Sequence, residues 1–191
     1  SELAESYDVS PDALTYTFRL RDATFHDGSA VTSADVKASL ERITAADSKA
    51  ANRVELGVIK SIETPDPKTV VLVLSKPFIP LVHYLALPES VIIPAAWIEA
   101  NKADPNAVPT IGAGPFKFVN WERGREITVE KFEGYYKQGL PHLDAIHYVF
   151  YGDENTRVSA LQSGDVDMID YVPWKDSASL ESNANVQLAC T

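Results

Sequence analysis

The chain has 191 residues, 45% of them hydrophobic and 23% charged, which is enough apolar surface for a packed core and excludes a disordered chain. Lys and Arg total 17 against 27 Asp and Glu, a net charge of −10 with the basic residues scattered singly, so neither a nucleic-acid surface nor an anionic membrane surface is expected. No run of about 18 apolar residues occurs, which excludes a transmembrane helix. From the start, Ala4 to Val9 alternates weakly, Ser10-Pro11-Asp12-Ala13 is a turn, and Leu14 to Leu20 alternates strictly with Leu14, Tyr16, Phe18 and Leu20 on one face. The first twenty residues therefore read as a β-hairpin. His26-Asp27-Gly28-Ser29 is a tight turn, and Thr32 with Asp35 opens a helix whose apolar face is Val36, Leu40 and Ile43.

A second hairpin follows, with strands at Val58 to Ile62 and Thr69 to Leu74 around a turn at Thr64-Pro65-Asp66-Pro67-Lys68. Pro77 to Leu87 reads as a short helix, Val91-Ile92-Ile93 as a buried strand, and Ala95 to Asn101 as a helix opened by Pro94. Ala103 to Pro109 is the best linker candidate. Beyond it come a hairpin from Phe116 to Trp121 and Glu126 to Phe132, a strand at Ala145 to Tyr151, a helix at Asn155 to Ser163 and a strand at Val166 to Ile169. That last β-α-β order is the pattern of a parallel α/β pair, whereas the earlier part is α+β. Two units meeting near Pro109 account for the change.

Chemistry-bearing motifs are sparse. There is no nucleophile elbow, phosphate loop, dinucleotide fingerprint or zinc-protease helix, and the four histidines (His26, His83, His142, His147) are isolated from one another. The single cysteine, Cys190, can form neither an internal disulfide nor a four-ligand zinc site. No enzyme activity, cofactor or metal is expected. Asp165 and Asp167 look like an acid pair but sit where a helix C-cap is expected, so Asp165 is read as a solvated turn carboxylate. Ile111-Gly112-Ala113-Gly114-Pro115 leads into a strand, not a helix, and is set aside as a phosphate cradle. Its bland explanation is a backbone that turns sharply or is closely approached, with Gly114 expected to resist a β-branched residue. Ser1-Glu2-Leu3 carries neither segment of a signal peptide, as in a mature or trimmed chain. Aromatic residues at element ends are more suggestive, because rigid rings beside turns often line ligand clefts. They single out Tyr84, Ala86 and Leu87, and the segment Tyr171, Val172, Pro173 and Trp174, as candidate ligand contacts.

The motifs in order resemble a known family. Ala4-Glu5-Ser6 through Asp12 to Arg21, Phe25-His26-Asp27-Gly28, Thr32-Ser33-Ala34-Asp35-Val36 and Ser39-Leu40-Glu41-Arg42 are similar to the extracytoplasmic solute-binding proteins of ABC importers, peptide/nickel-binding family. Gly112-Ala113-Gly114-Pro115-Phe116, Trp121, Tyr135-Tyr136, Asp153 to Arg157 and Ala160 to Asp167 continue the match. The resemblance implies an incomplete periplasmic-binding-protein-like class II fold, mixed α/β. Residues 1–108 would form an accessory α+β subdomain of lobe I and 109–191 part of the α/β ligand-binding lobe. Family members look more than twice as long, so the chain reads as a fragment whose peptide-clamping residues lie in the parts it lacks. The implied function is binding of di- or oligopeptides outside the cytoplasmic membrane, in the periplasm or at the cell surface, as a monomer that serves a membrane permease. Nickel complexes or oligosaccharides are alternatives within the family, and a sensor without transport is an alternative outside it.

Overall fold

The computed structural model describes residues 3–104 and 107–189, so Pro105 and Asn106 of the expected linker, and Cys190, lie outside the described residues. Contacts divide the chain into two units, residues 1–119 with 129–146, and residues 120–128 with 147–191.

The first unit is built on a four-stranded antiparallel sheet of β1 (Ala4–Val9), β2 (Thr15–Leu20), β3 (Ile59–Asp66) and β4 (Thr69–Leu74), in the order β1-β2-β4-β3. The expected first hairpin is present. Its turn is locked by Ser10 N–H to Thr15 C=O at 2.9 Å and by Asp12 Oδ1, which accepts the Ser10 hydroxyl and the Leu14 N–H. On β2, Tyr16, Phe18 and Leu20 point inward, matched on β4 by Val70, Leu72 and Leu74. Helix α1 (Ser33–Thr44) covers this face with Val36, Leu40 and Ile43. Burying each such side chain stabilises by roughly 1.5–3 kcal/mol, so this layer is the main support of the fold.

Helix α1 starts where the sequence places it. Asp35 Oδ2 accepts both the N–H (2.8 Å) and the hydroxyl (2.7 Å) of Thr32, while its Oδ1 accepts the Ala95 N–H at 2.8 Å. One carboxylate thus starts α1 and fixes the beginning of α4 (Ala95–Asn101). Between them lie α2 (Arg53–Leu56), which the periodicity does not announce, and α3 (Leu81–Leu85). The expected helix from Pro77 shrinks to α3 because Pro80 has no N–H to give a preceding turn and becomes its N-cap.

Two further expectations are corrected here. The turn between β3 and β4 is only Pro67-Lys68, because β3 runs on through Pro65 to Asp66. Proline is tolerated there since β3 is an edge strand. Val91-Ile92-Ile93 is not a strand. Ile93 is buried, and its backbone is satisfied by a side chain instead: its N–H donates to Ser39 Oγ at 3.0 Å and its C=O accepts from the same hydroxyl at 3.2 Å.

A second sheet has the order β5 (Phe116–Glu122), β6 (Glu126–Lys131), β7 (Ala145–Val149), and each unit takes a portion of all three strands. In the second unit, α5 (Glu154–Ser163) follows β7, and a 3-10 turn at Trp174–Asp176 leads into α6 (Ser177–Glu181). Val158, Ala160 and Leu180 are buried, whereas Tyr148, Phe150 and Met168 are exposed. Val166 to Ile169 does not form the expected strand. The segment has no ladder partner; its first residue instead closes the end of α5, with Val166 N–H donating to Ala160 C=O at 3.3 Å, and a lone strand has nothing to stabilise it.

Candidate functional site

The candidate segments fall in different units. Tyr84, Ala86 and Leu87 belong to the first, and Tyr171 to Trp174 to the second. Tyr84 is the last residue but one of α3, half-buried against the main core, with its ring centroid 5.6 Å from that of Phe78. Tyr84 and Leu87 line a recess of about 120 Å³ with Ala51, Asn52, Glu55 and Glu89, while Ala86 is exposed at the end of the helix. Two of the lining residues, Asn52 and Tyr84, are joined by a relay through Ser90. The Ser90 hydroxyl donates to Tyr84 C=O at 2.8 Å and therefore accepts from Asn52 Nδ2, also at 2.8 Å. A larger concavity of about 680 Å³, lined by residues that include Thr44, Arg53, Val58 and Lys76, contains none of the candidate residues. Its Arg53 is spent on the Ala45 C=O, at 2.8 Å from Nε.

The segment Tyr171 to Trp174 is displayed, not packed. Tyr171 is 84% exposed and Trp174 92%, with Val172 and Pro173 half-buried between them. The loop is nevertheless held. Tyr171 N–H donates to Asp170 Oδ1 at 2.9 Å, Arg157 Nη2 donates to Tyr171 C=O at 3.1 Å, and Lys175 Nζ donates to Asn155 Oδ1 at 2.7 Å. Asn155 and Arg157 lie on the first turn of α5. That turn is anchored by Asp153, whose carboxylate accepts Thr156 N–H at 2.9 Å as N-cap. The same bond, helped by the Thr156 hydroxyl, holds the Asp153 carboxyl below its ordinary value. The other end of α5 closes on Gly164, left-handed at φ +81°, with Asp165 N–H returning to Ala160 C=O at 2.9 Å. Asp165 is exposed as expected and accepts the Ser163 hydroxyl.

Sequence reasoning singled out Tyr171 and Trp174 by their rings and gave no sign of the bonds from Arg157, Asn155 and Asp170 that hold the loop. The only available signal was the Asp153 to Arg157 motif, whose role in holding another loop no local pattern reveals. The Gly-rich turn is a correction. Gly114 has no positive φ, and a Cβ added there would meet nothing within 4 Å, so it is not the tight position. What the turn needs is His26. The ring accepts Gly112 N–H at Nδ1 (3.3 Å) and so carries its proton on Nε2, facing Gly114 C=O at 3.1 Å, while His26 N–H donates to Gly112 C=O. Among the described residues no group of three His, Cys, Asp or Glu is gathered as a metal would require, and no helix is long and apolar enough to cross a membrane.

Comparison with known proteins gives the family and the fold. The family described as bacterial extracellular solute-binding proteins, family 5 Middle, matches residues 1–189. AgaA of A. tumefaciens R10, solved in complex with agropinic acid, is 65% identical with a TM-score of 0.93, over 96% of this chain and 37% of that one. DppA of Helicobacter pylori, solved with the peptide STSA, is 28% identical with a TM-score of 0.84, over 95% of this chain and 40% of that one. Among curated proteins, the glutathione-binding protein GsiB of Pectobacterium atrosepticum is 38% identical over 99% of this chain and 37% of its own length. The chain thus spans well under half of the relatives it matches, and those relatives are binding proteins, not enzymes.

Proposed function

The chain belongs to the bacterial extracellular solute-binding proteins of family 5, and we propose that the whole protein binds a small organic acid of the kind AgaA holds, agropinic acid, outside the cytoplasmic membrane and delivers it to an ABC permease. The single observation that carries this reading is the 65% identity to AgaA over 96% of the chain, more than twice the 28% shared with the peptide-bound DppA. Short peptides, the first expectation from the motifs, are the second reading, favoured by the 38% identity to glutathione-binding GsiB.

In this reading residues 1–108 are the accessory subdomain and 109–191 are part of the first ligand-binding lobe. Tyr171 and Trp174 offer rigid rings that add contact area at little entropic cost, and closure of a second lobe supplies the remaining contacts. Tyr84, Ala86 and Leu87 would contribute from the subdomain. The isolated chain should then bind weakly, since part of one lobe has only a share of the contacts and none of the closure.

Thermal melts of the full-length protein with agropinic acid, glutathione and the peptide STSA test the reading. A ligand at about 100 times its Kd stabilises by about 2.7 kcal/mol, a shift of several degrees. Agropinic acid is expected to give that shift at lower concentration than the other two. A shift with STSA alone would overturn the assignment.

A further inference from the structure

Resting on the reading of Tyr171 to Trp174 as a solute-contacting loop, we infer that Arg157 is a positioning residue that holds this loop in its working shape. Tyr171 has φ of 61°, in the left-handed region that glycine and asparagine tolerate and a bulky aromatic residue avoids. Such an outlier persists only where its surroundings over-determine it. Here two side chains grip the peptide groups on either side: Asp170 Oδ1 takes the Tyr171 N–H and Arg157 Nη2 gives a bond to the Tyr171 C=O.

Arg157 accepts a penalty to do this, because its Nε is buried without a hydrogen-bond partner. A second tether, Lys175 to Asn155, ties the far end of the loop to the same turn of α5. The backbone is therefore held at Tyr171 and tied by a side-chain bond at Lys175, while the rings of Tyr171 and Trp174 are almost wholly exposed in this chain. A fixed backbone that displays bare rings is a preorganised contact surface, which spares a ligand the ordering entropy of the loop.

The test reads the loop directly. In the full-length protein, backbone amide order parameters are expected near 0.85 from residue 171 to 175, and Arg157→Gln should lower them below about 0.6 while α5 stays rigid. Arg157→Lys, which keeps the charge but loses the planar fork, should fall between. Asparagine accepts the left-handed backbone, so in a Tyr171→Asn background the Arg157→Gln change should matter far less. In the full-length protein, Arg157→Gln should raise the dissociation rate of agropinic acid about tenfold. Unchanged order parameters at 171–175 would overturn the inference, as would an equal loosening of α5 and loop. If the loop loosens while Arg157→Gln and Trp174→Ala both leave agropinic acid and glutathione binding intact, the tether stands but the solute-contacting role of the loop is refuted, and the role of Arg157 in binding with it.

Discussion

Replacing Ser39 by alanine isolates the device that stands in for a strand. Ser39 is 0% exposed and Ile93 1%, so neither backbone group of Ile93 can turn to water when the hydroxyl is removed. A buried donor left unpaired costs about 1–3 kcal/mol, and the abandoned C=O adds to that. Alanine recovers about 0.5 kcal/mol in helix propensity at this α1 position. The net loss should be about 2–3 kcal/mol. For a domain of this size that corresponds to a fall of roughly 5–10 °C in Tm. Urea unfolding at constant m-value is the assay, with Thr44→Ala as the control. Thr44 is on the same helix and loses the same kind of hydroxyl, but its bond is a local one to Leu40 C=O at 3.0 Å on a half-exposed side. Thr44→Ala should stay within about 0.5 kcal/mol of wild type. If the two variants are equally stable, the Ser39 hydroxyl is not what satisfies Ile93.

Other outcomes follow from the same contacts. Gly164→Ala should cost about 1–2 kcal/mol because position 164 is left-handed at φ +81°, whereas Gly114→Ala should be near neutral, and paired thermal melts compare them. His26→Leu removes both ring bonds to the 112–114 backbone and should cost about 1–3 kcal/mol by chemical denaturation, with a similar loss from His26→Phe excluding a purely steric cause. Asp12, Asp27, Asp66 and Asp153 all titrate below their ordinary value of 3.8, held there chiefly by the Ser10 hydroxyl, the Ser29 hydroxyl, the Lys68 N–H and the Thr156 N–H respectively. Their folded values lie below their unfolded ones, so their contribution is complete above about pH 5 and is lost as pH falls through the lowered values. Melting midpoints should therefore drop on acidification below about pH 4, and a midpoint that rose there would contradict the assignment.

Much of the first unit was legible because its signals are local. Strict alternation in Leu14 to Leu20 gives β2, and the Thr32–Asp35 pair marks the start of α1 to the residue. The losses have a common cause. Val91 to Ile93 has the composition of a buried strand, but the partner that completes it is a serine side chain 54 residues away. Val166 to Ile169 has a strand's composition without a neighbouring strand among the described residues. At the candidate site, ring position could be read from turn residues around Tyr171 and Trp174, but the grip of Arg157 spans 14 residues and acts on a carbonyl that every residue possesses. Gly114 misled for the opposite reason: glycine invites a conformational explanation, and the constraint there comes from His26.

Calorimetric titration of the full-length protein with agropinic acid, in wild type and Trp174→Ala, tests the central claim most directly. Saturable one-to-one binding by the wild type, weakened about tenfold or more by Trp174→Ala, or 1.4 kcal/mol and upward, is the predicted result. No heat with agropinic acid, alongside tight binding of a peptide that Trp174→Ala leaves untouched, would contradict both the proposed solute and the site.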